Sequence, residues 1–145
     1  MRIAFISFEF PPDTAIGGIA TYAENAALLM ANKGHAVEVF TASPERSSLH
    51  EPFADNVLVH RIHTKDRDNF CRQILPVFAE RHKQVGFDLA ESPEYGQEGM
   101  EIKKNFPALP MIVRFHTPSF WVKQLNKKFV AGSLKEKLKK SLGIG

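Results

Sequence analysis

The sequence has a single cysteine, Cys71, in 145 residues. That excludes an internal disulfide and any cysteine-rich metal site. No apolar run approaches the ~20 residues that cross a bilayer. No basic leader with a cleavage site precedes the apolar residues that begin at Ile3, so a cytoplasmic protein is expected. Repeats and low-complexity tracts are missing, as is the G-x-x-x-x-G-K-[ST] of a P-loop NTPase. The dinucleotide fingerprint G-x-G-x-x-G is missing too, because Ala20 and Tyr22 stand where later glycines belong. No acidic residue ends the next apolar stretch, so a nicotinamide-dependent dehydrogenase is disfavoured. A strong net charge is also lacking. The total is +3, but residues 123–145 carry seven lysines (Lys123, Lys127, Lys128, Lys135, Lys137, Lys139, Lys140) against Glu136, which is +6 and leaves −3 on the rest. The charge is confined to one segment without interleaved aromatics, so it does not describe a nucleic-acid surface.

What is present begins with Met1 to Gly34. Positions 2–8, Arg2-Ile3-Ala4-Phe5-Ile6-Ser7-Phe8, are apolar almost throughout, as a strand buried on both faces of a parallel sheet should be. Pro11-Pro12 stops the strand. After Gly17-Gly18 a helical pattern begins, with Ile19, Tyr22, Ala23, Ala26, Leu29 and Met30 at steps of three or four, and it closes at Lys33-Gly34. A buried strand, a glycine pair and a helix N-terminus together suit an anion, since the first N–H groups of the helix lack partners and no Cβ blocks the approach. The competing reading is that Gly17-Gly18 only makes a tight turn. The stretch from Glu9 to Gly17 is long for a plain turn and is expected to line a cleft.

Positions 36–41 read as a second strand and Ser43 to Asn56 as a polar surface loop. Positions 57–63 read as a third strand, on which His60 and His63, three apart, point to opposite faces and do not suggest a metal site. Helical spacing returns from Asp68 to Val85, with Asp66 or Asp68 as N-cap and a kink or split expected at Pro76. Cys71 falls near its apolar face and reads as a small core residue. A short strand at 87–91 runs into Ser92-Pro93-Glu94-Tyr95-Gly96, a helix is expected at about 97–105, and a last apolar strand covers 110–115. Strands alternating with helices predict an α/β chain, a Rossmann-like, doubly wound, mostly parallel sheet with helices on both faces. Ligands of such sheets bind outside the strands' carboxyl ends. The loops Glu9–Gly18, Ser92–Gly96 and His116–Phe120 are expected to meet there.

At that edge His116 can donate a hydrogen bond or titrate. Arg114 should share its side of the strand while Phe115 faces away. A neighbouring cation makes His116 a better donor to substrate than a general acid. Glu9, Asp13, Glu91 and Glu94 supply carboxylates suited to hydroxyls, with Asp13 and Glu91 read as solvated loop residues. No Ser-His-Asp triad and no metal cluster can be assembled from the spacing.

The stretches Met1–Pro12, Gly17-Gly18-Ile19-Ala20-Thr21-Tyr22, Ala31–Val39, Asp88–Gly96 and Arg114-Phe115-His116-Thr117-Pro118 stand in an order that resembles the N-terminal domain of retaining family-4 glycosyltransferases of the GT-B fold. The resemblance implies one of two Rossmann-like halves facing across a cleft, the acceptor-side domain being residues 1–126. It implies that Gly17 and Gly18 approach the diphosphate of a nucleotide-sugar donor. It places His116 near the transferred sugar as the catalytic candidate, and Glu9, Glu94, Tyr95, Arg114 and Thr117 on the acceptor side. No metal and no cofactor are expected; the partners are the nucleotide-sugar and a sugar or lipid acceptor. The family's E-x7-E donor motif belongs to a second domain not found in these 145 residues, so little transfer is expected from this chain alone, and self-association or pairing with a donor domain is open. Residues 127–145 form a basic segment in which Leu134, Leu138 and Leu142 share a stripe across 133–142. It reads as a helix beside the interdomain linker or as a peripheral membrane contact. The alternative function is therefore a stand-alone sugar- or nucleotide-binding module that docks on a membrane or partner through that helix.

Overall fold

The computed structural model describes residues 1–14 and 17–116. The elements are β1 (Arg2–Ile6), α1 (Gly18–Asn32), β2 (Ala36–Ser43), β3 (Ser48–Ala54), β4 (Val57–His63), α2 (Phe70–Val85), β5 (Leu89–Pro93), a 3-10 turn (Tyr95–Gln97), α3 (Met100–Asn105) and β6 (Met111–Arg114). They build one six-stranded sheet in the order β3-β4-β2-β1-β5-β6. Every pairing is parallel except β3 with β4. The chain leaves β1 towards β2, and α2 later returns it to β5 on the other side of β1. The gap between β1 and β5 at the carboxyl edge is thus the sheet's topological switch point, where doubly wound sheets bind ligands.

Both faces are covered. On one, α1 buries Ala20, Ala23, Ala27 and Ala31, a small-residue stripe that lets the helix lie close over Ile3, Phe5, Val37, Val39, Val57 and Val59. On the other, Phe70, Ile74 and Phe78 of α2 and Ile102 of α3 pack on Ala4, Ile6, Phe40, Ala42 and Ala90. Phe78 touches Phe40, Phe87 and Phe106 at ring-centroid distances of 5.2–5.5 Å. Each such ring contributes roughly 1.5–3 kcal/mol by burial.

Three expectations are corrected. Part of the stretch Ser43 to Asn56 is a strand, β3, antiparallel to β4 and irregular in register. Phe53 packs against the core while Leu49 is exposed, so a half-exposed edge strand carries little alternation to read. Pro76 neither splits nor ends α2. It sits on the exposed side of the helix, and so does Arg72, whose carbonyl loses the Pro76 N–H and faces water instead. The N-cap of α2 is Asn69, with Asp66 accepting from its backbone N–H at 3.2 Å and its side-chain amide at 2.7 Å. Cys71 is buried, as expected of a core residue. The histidines divide as the strand period demands. His60 is buried between Glu38 and Phe40, while His63 is exposed and reaches the Pro44 carbonyl.

Candidate functional site

The loop from Phe8 to Thr14 leaves β1 at the switch point and is held tightly. The Thr14 hydroxyl accepts from the Phe10 N–H at 2.8 Å and lies 3.1 Å from the Phe8 carbonyl, which also accepts from Thr41. Arg61, fully buried on β4, donates to the Pro11 carbonyl at 2.7 Å and stands 3.8 Å from Asp13. Asp13 is therefore not a solvated loop residue: Arg46 and Arg61 both flank it. This loop delivers the chain to Gly17, the N-cap of α1.

The glycine pair behaves in an informative way. Gly17 has φ −168° and ψ −162°, an extended conformation open to any residue, and neither Gly17 nor Gly18 is among the glycines with positive φ. Among the described residues, a Cβ on Gly17 would meet only Glu9 Oε2, at 3.9 Å, and one on Gly18 would meet nothing within 4 Å. Among the described residues no side chain caps the helix, and neither backbone geometry nor crowding calls for glycine at these two exposed positions.

One helical turn beyond Gly18, Tyr22 projects over the β1–β5 gap. Its hydroxyl donates to Glu91 Oε1 at 2.5 Å. The guanidinium of Arg114 lies 4.9 Å above the Tyr22 ring and 3.5 Å from the same Glu91 oxygen. His116 meets Tyr22 edge-on at 5.2 Å. Burial first, then the Glu91 hydrogen bond, push the Tyr22 hydroxyl up to about 12. Arg114 and His116 thus do share a side, both against Tyr22, with Ser7, Ile19 and Ser92 completing a shallow crevice. Glu91 is corrected: it is buried and paired, and its charge answers that of Arg114.

On the far side of the same gap, Arg67 pairs with Glu9 and donates to Glu98 at 2.9 Å. Its guanidinium lies 4.5 Å over Phe8 and 5.1 Å from Tyr95. Glu98 is fully buried and accepts from the Phe8 N–H at 2.8 Å. Burial pushes its carboxyl up to about 8, against the pull of the Phe8 N–H and Arg67. Tyr95 is exposed beside this cluster. Glu94, whose backbone N–H bonds Arg114 O at 3.0 Å, lines a separate cavity of about 520 Å³ between β5, β6 and α3, walled by Met100, Met111 and Val113. This larger hollow is mostly apolar, lies on the α3 face and does not include His116.

The structure therefore brings Gly17, Gly18, Glu9, Tyr95, Arg114 and His116 to one edge and sets Glu94 slightly apart. Thr117 and the segments 127–145 and 133–142 lie outside the described residues. Among the described residues no cluster of His, Cys, Asp or Glu is arranged to hold a metal ion, and no helix is long and apolar enough to cross a membrane. Tyr22, Arg67 and Glu98 are not singled out by the sequence as candidate site residues; Glu91 is among the carboxylates expected at this edge but reads from the sequence as solvated.

This is the architecture of one Rossmann-like half of a GT-B fold. Among solved structures, the chain is similar to sucrose-phosphate synthase from Thermosynechococcus elongatus, with a TM-score of 0.63 and 17% identity over 80% of this chain and 33% of that one. A second structure of that enzyme from the same organism gives a TM-score of 0.59 and 14% identity, covering 82% of this chain and 65% of the other. The chain spans about a third of the first of these. No family model matches it, and no curated protein matches it in sequence.

Proposed function

We propose that the chain is the acceptor-side half of a retaining, family-4-like glycosyltransferase that moves a sugar from a nucleotide-sugar to a sugar or lipid acceptor, and that transfer requires a donor-binding domain facing this edge. One observation carries the reading. Gly17 and Gly18 open the helix whose Tyr22 meets His116, yet among the described residues neither conformation nor packing requires glycine there. The missing side chains serve an approach from outside, and the uncapped amides suit a diphosphate. His116 is proposed as the donor of a hydrogen bond to the transferred sugar, with Arg114 neutralised by Glu91 so that it orients hydroxyls without over-attracting anions. Glu9, Glu94, Tyr95 and Thr117 are proposed to face the acceptor. No metal is invoked, since backbone amides and the helix dipole supply roughly half a positive charge where the diphosphate departs.

The test is a titration of UDP, GDP and ADP against wild type and Gly17→Val, followed by calorimetry. The variant is checked for its thermal transition, since a Cβ at Gly17 meets only Glu9 Oε2 among the described residues, and it should bind the preferred nucleotide at least tenfold more weakly. Equal affinity in the two chains would discredit the diphosphate role. The +6 charge of residues 123–145 supports the second reading, a module docking on anionic membranes. That reading requires binding to phosphatidylserine vesicles that fades with salt and with Lys137→Glu, Lys139→Glu and Lys140→Glu.

A further inference from the structure

Arg67 comes from the turn between β4 and α2, yet its partners all belong to the two loops that wall the switch point. It pairs with Glu9, which follows β1, and with Glu98, which follows β5. It lies flat over the Phe8 ring and against the Tyr95 ring. Glu98 closes the circuit by accepting from the Phe8 N–H. Removing this one side chain would leave the Phe8 N–H to Glu98 bond as the tie between these two loops and would free Glu9 from the wall built on β5.

The pairing is asymmetric at Glu9. Arg67 takes Oε1, and Oε2 is the atom that a Cβ on Gly17 would meet at 3.9 Å. A carboxylate at the glycine turn is, on its face, hostile to a phosphate. One guanidinium faces two carboxyl groups, but they are not equivalent. Glu98 has no exposed surface, whereas Glu9 keeps 12% of its side chain exposed. Glu98 titrates near 8, pushed up by burial, so at neutral pH the charge of Arg67 is matched by Glu9 alone and the pair is neutral.

We propose that Arg67 is a positioning and specificity residue of this crevice: it turns Glu9 so that a single, charge-balanced carboxylate oxygen faces Gly17, and so makes that end of the crevice accept a diphosphate. This rests on the reading of Gly17-Gly18 as the diphosphate contact. Without Arg67 the carboxylate stands unbalanced within a few ångströms of the anion, and Coulomb repulsion in a partly buried site corresponds to tenfold or more in affinity.

The test uses whichever of UDP, GDP and ADP binds wild type most tightly, titrated against Arg67→Gln, Glu9→Gln and the double variant, each checked for its thermal transition. Arg67→Gln keeps a donor for Glu98 but loses the charge, and its affinity should fall about tenfold or more. Glu9→Gln alone should bind more tightly than wild type, since an unmatched cation then lies beside the anion. The double variant should return to within about threefold of wild type, a rescue that a purely structural role for Arg67 does not give. Wild-type affinity in Arg67→Gln, a double variant as weak as Arg67→Gln, or weakened binding in Glu9→Gln overturns the proposal. Should Arg67→Gln fail to fold, Glu9→Gln decides alone. A chain sensitive to Gly17→Val but flat across this set sinks only the role of Arg67. A wild type that binds none of the nucleotides sinks both.

Discussion

The hydroxyl of Tyr22 and the carboxylate of Glu91 meet at 2.5 Å across the gap between α1 and β5, on the same oxygen that Arg114 approaches at 3.5 Å. The short contact ties the second turn of the glycine-led helix to the strand next to β1. Hydrogen bonds to charged acceptors contribute about 1.5–3 kcal/mol when well buried and less at a half-buried site. Tyr22→Phe should therefore cost about 1 kcal/mol and lower the thermal midpoint by a few degrees. In an absorbance titration one of the two tyrosines should ionise near 12, and Glu91→Gln should bring it down towards 10. The raised hydroxyl stabilises the fold below pH 10, and that contribution disappears as pH rises through 12. A tyrosine titration unchanged by Glu91→Gln contradicts the pairing.

A second network lies away from the crevice, where Arg81 of α2 and His60 of β4 both bond Glu38 of β2, at 2.8 and 2.7 Å. Burial raises the Glu38 carboxyl, but the hydrogen bonds from His60 and Arg81 outweigh it and hold it down at about 2. The depressed value means that Glu38 stabilises the fold above about pH 4.5 and that this contribution is lost as pH falls towards 2. Wild type should lose about 2 kcal/mol over that window. Glu38→Gln should be less stable at pH 7 and show a flatter acid limb in urea melts. Parallel limbs in the two proteins would count against the network.

Glu98 works with the opposite sign. Its carboxyl is raised to about 8, so the folded chain holds a proton that the unfolded chain releases above about 4.5. Stability therefore falls as pH climbs from about 5 through 8, by a few kcal/mol at most. Glu98→Gln keeps an acceptor for the Phe8 N–H and removes the slope. At pH 9 it should be more stable than wild type, with the two converging near pH 5. A wild-type stability that is level between pH 5 and 9 removes the basis for assigning the charge of Arg67 to Glu9.

The fold was legible where burial imposes a pattern. Ile3 to Ile6 and Val37 to Phe40 follow the period of a doubly covered parallel sheet. The buried stripe of α1, by contrast, is Ala20, Ala23, Ala27 and Ala31 and not the larger residues from Ile19 to Met30, of which Leu29 is exposed. Edge elements were not legible, because β3 packs on one side only and its Leu49, exposed on the outer side, mimics a loop residue. Of the candidate site, the sequence offers the residues at strand ends: the glycine pair, Glu9, Tyr95, Arg114 and His116. The rest consists of side chains distant in sequence that answer those charges. Glu91 and Tyr22 are 69 residues apart, and Arg67 and Glu9 are 58 apart. Local composition carries no trace of such pairings, which the sheet order alone creates.

Two glycines should respond to alanine in opposite ways. A Cβ on Gly99 would lie 2.8 Å from Ser92 Cβ and 3.0 Å from Met111 Sδ, closer than packed atoms tolerate, so Gly99→Ala should cost about 1–3 kcal/mol by overpacking where α3 begins against β5 and β6. On Gly18 the new methyl group meets nothing among the described residues, and alanine is the better helix former by up to about 1 kcal/mol. Gly18→Ala should therefore fold as well as wild type or better, while binding a nucleoside diphosphate several-fold more weakly. Paired melts and titrations of the two variants separate a glycine kept for packing from one kept for a guest. If Gly18→Ala loses stability and Gly99→Ala does not, the assignment of open space at the Gly18 Cβ position is wrong, and the diphosphate reading loses its support.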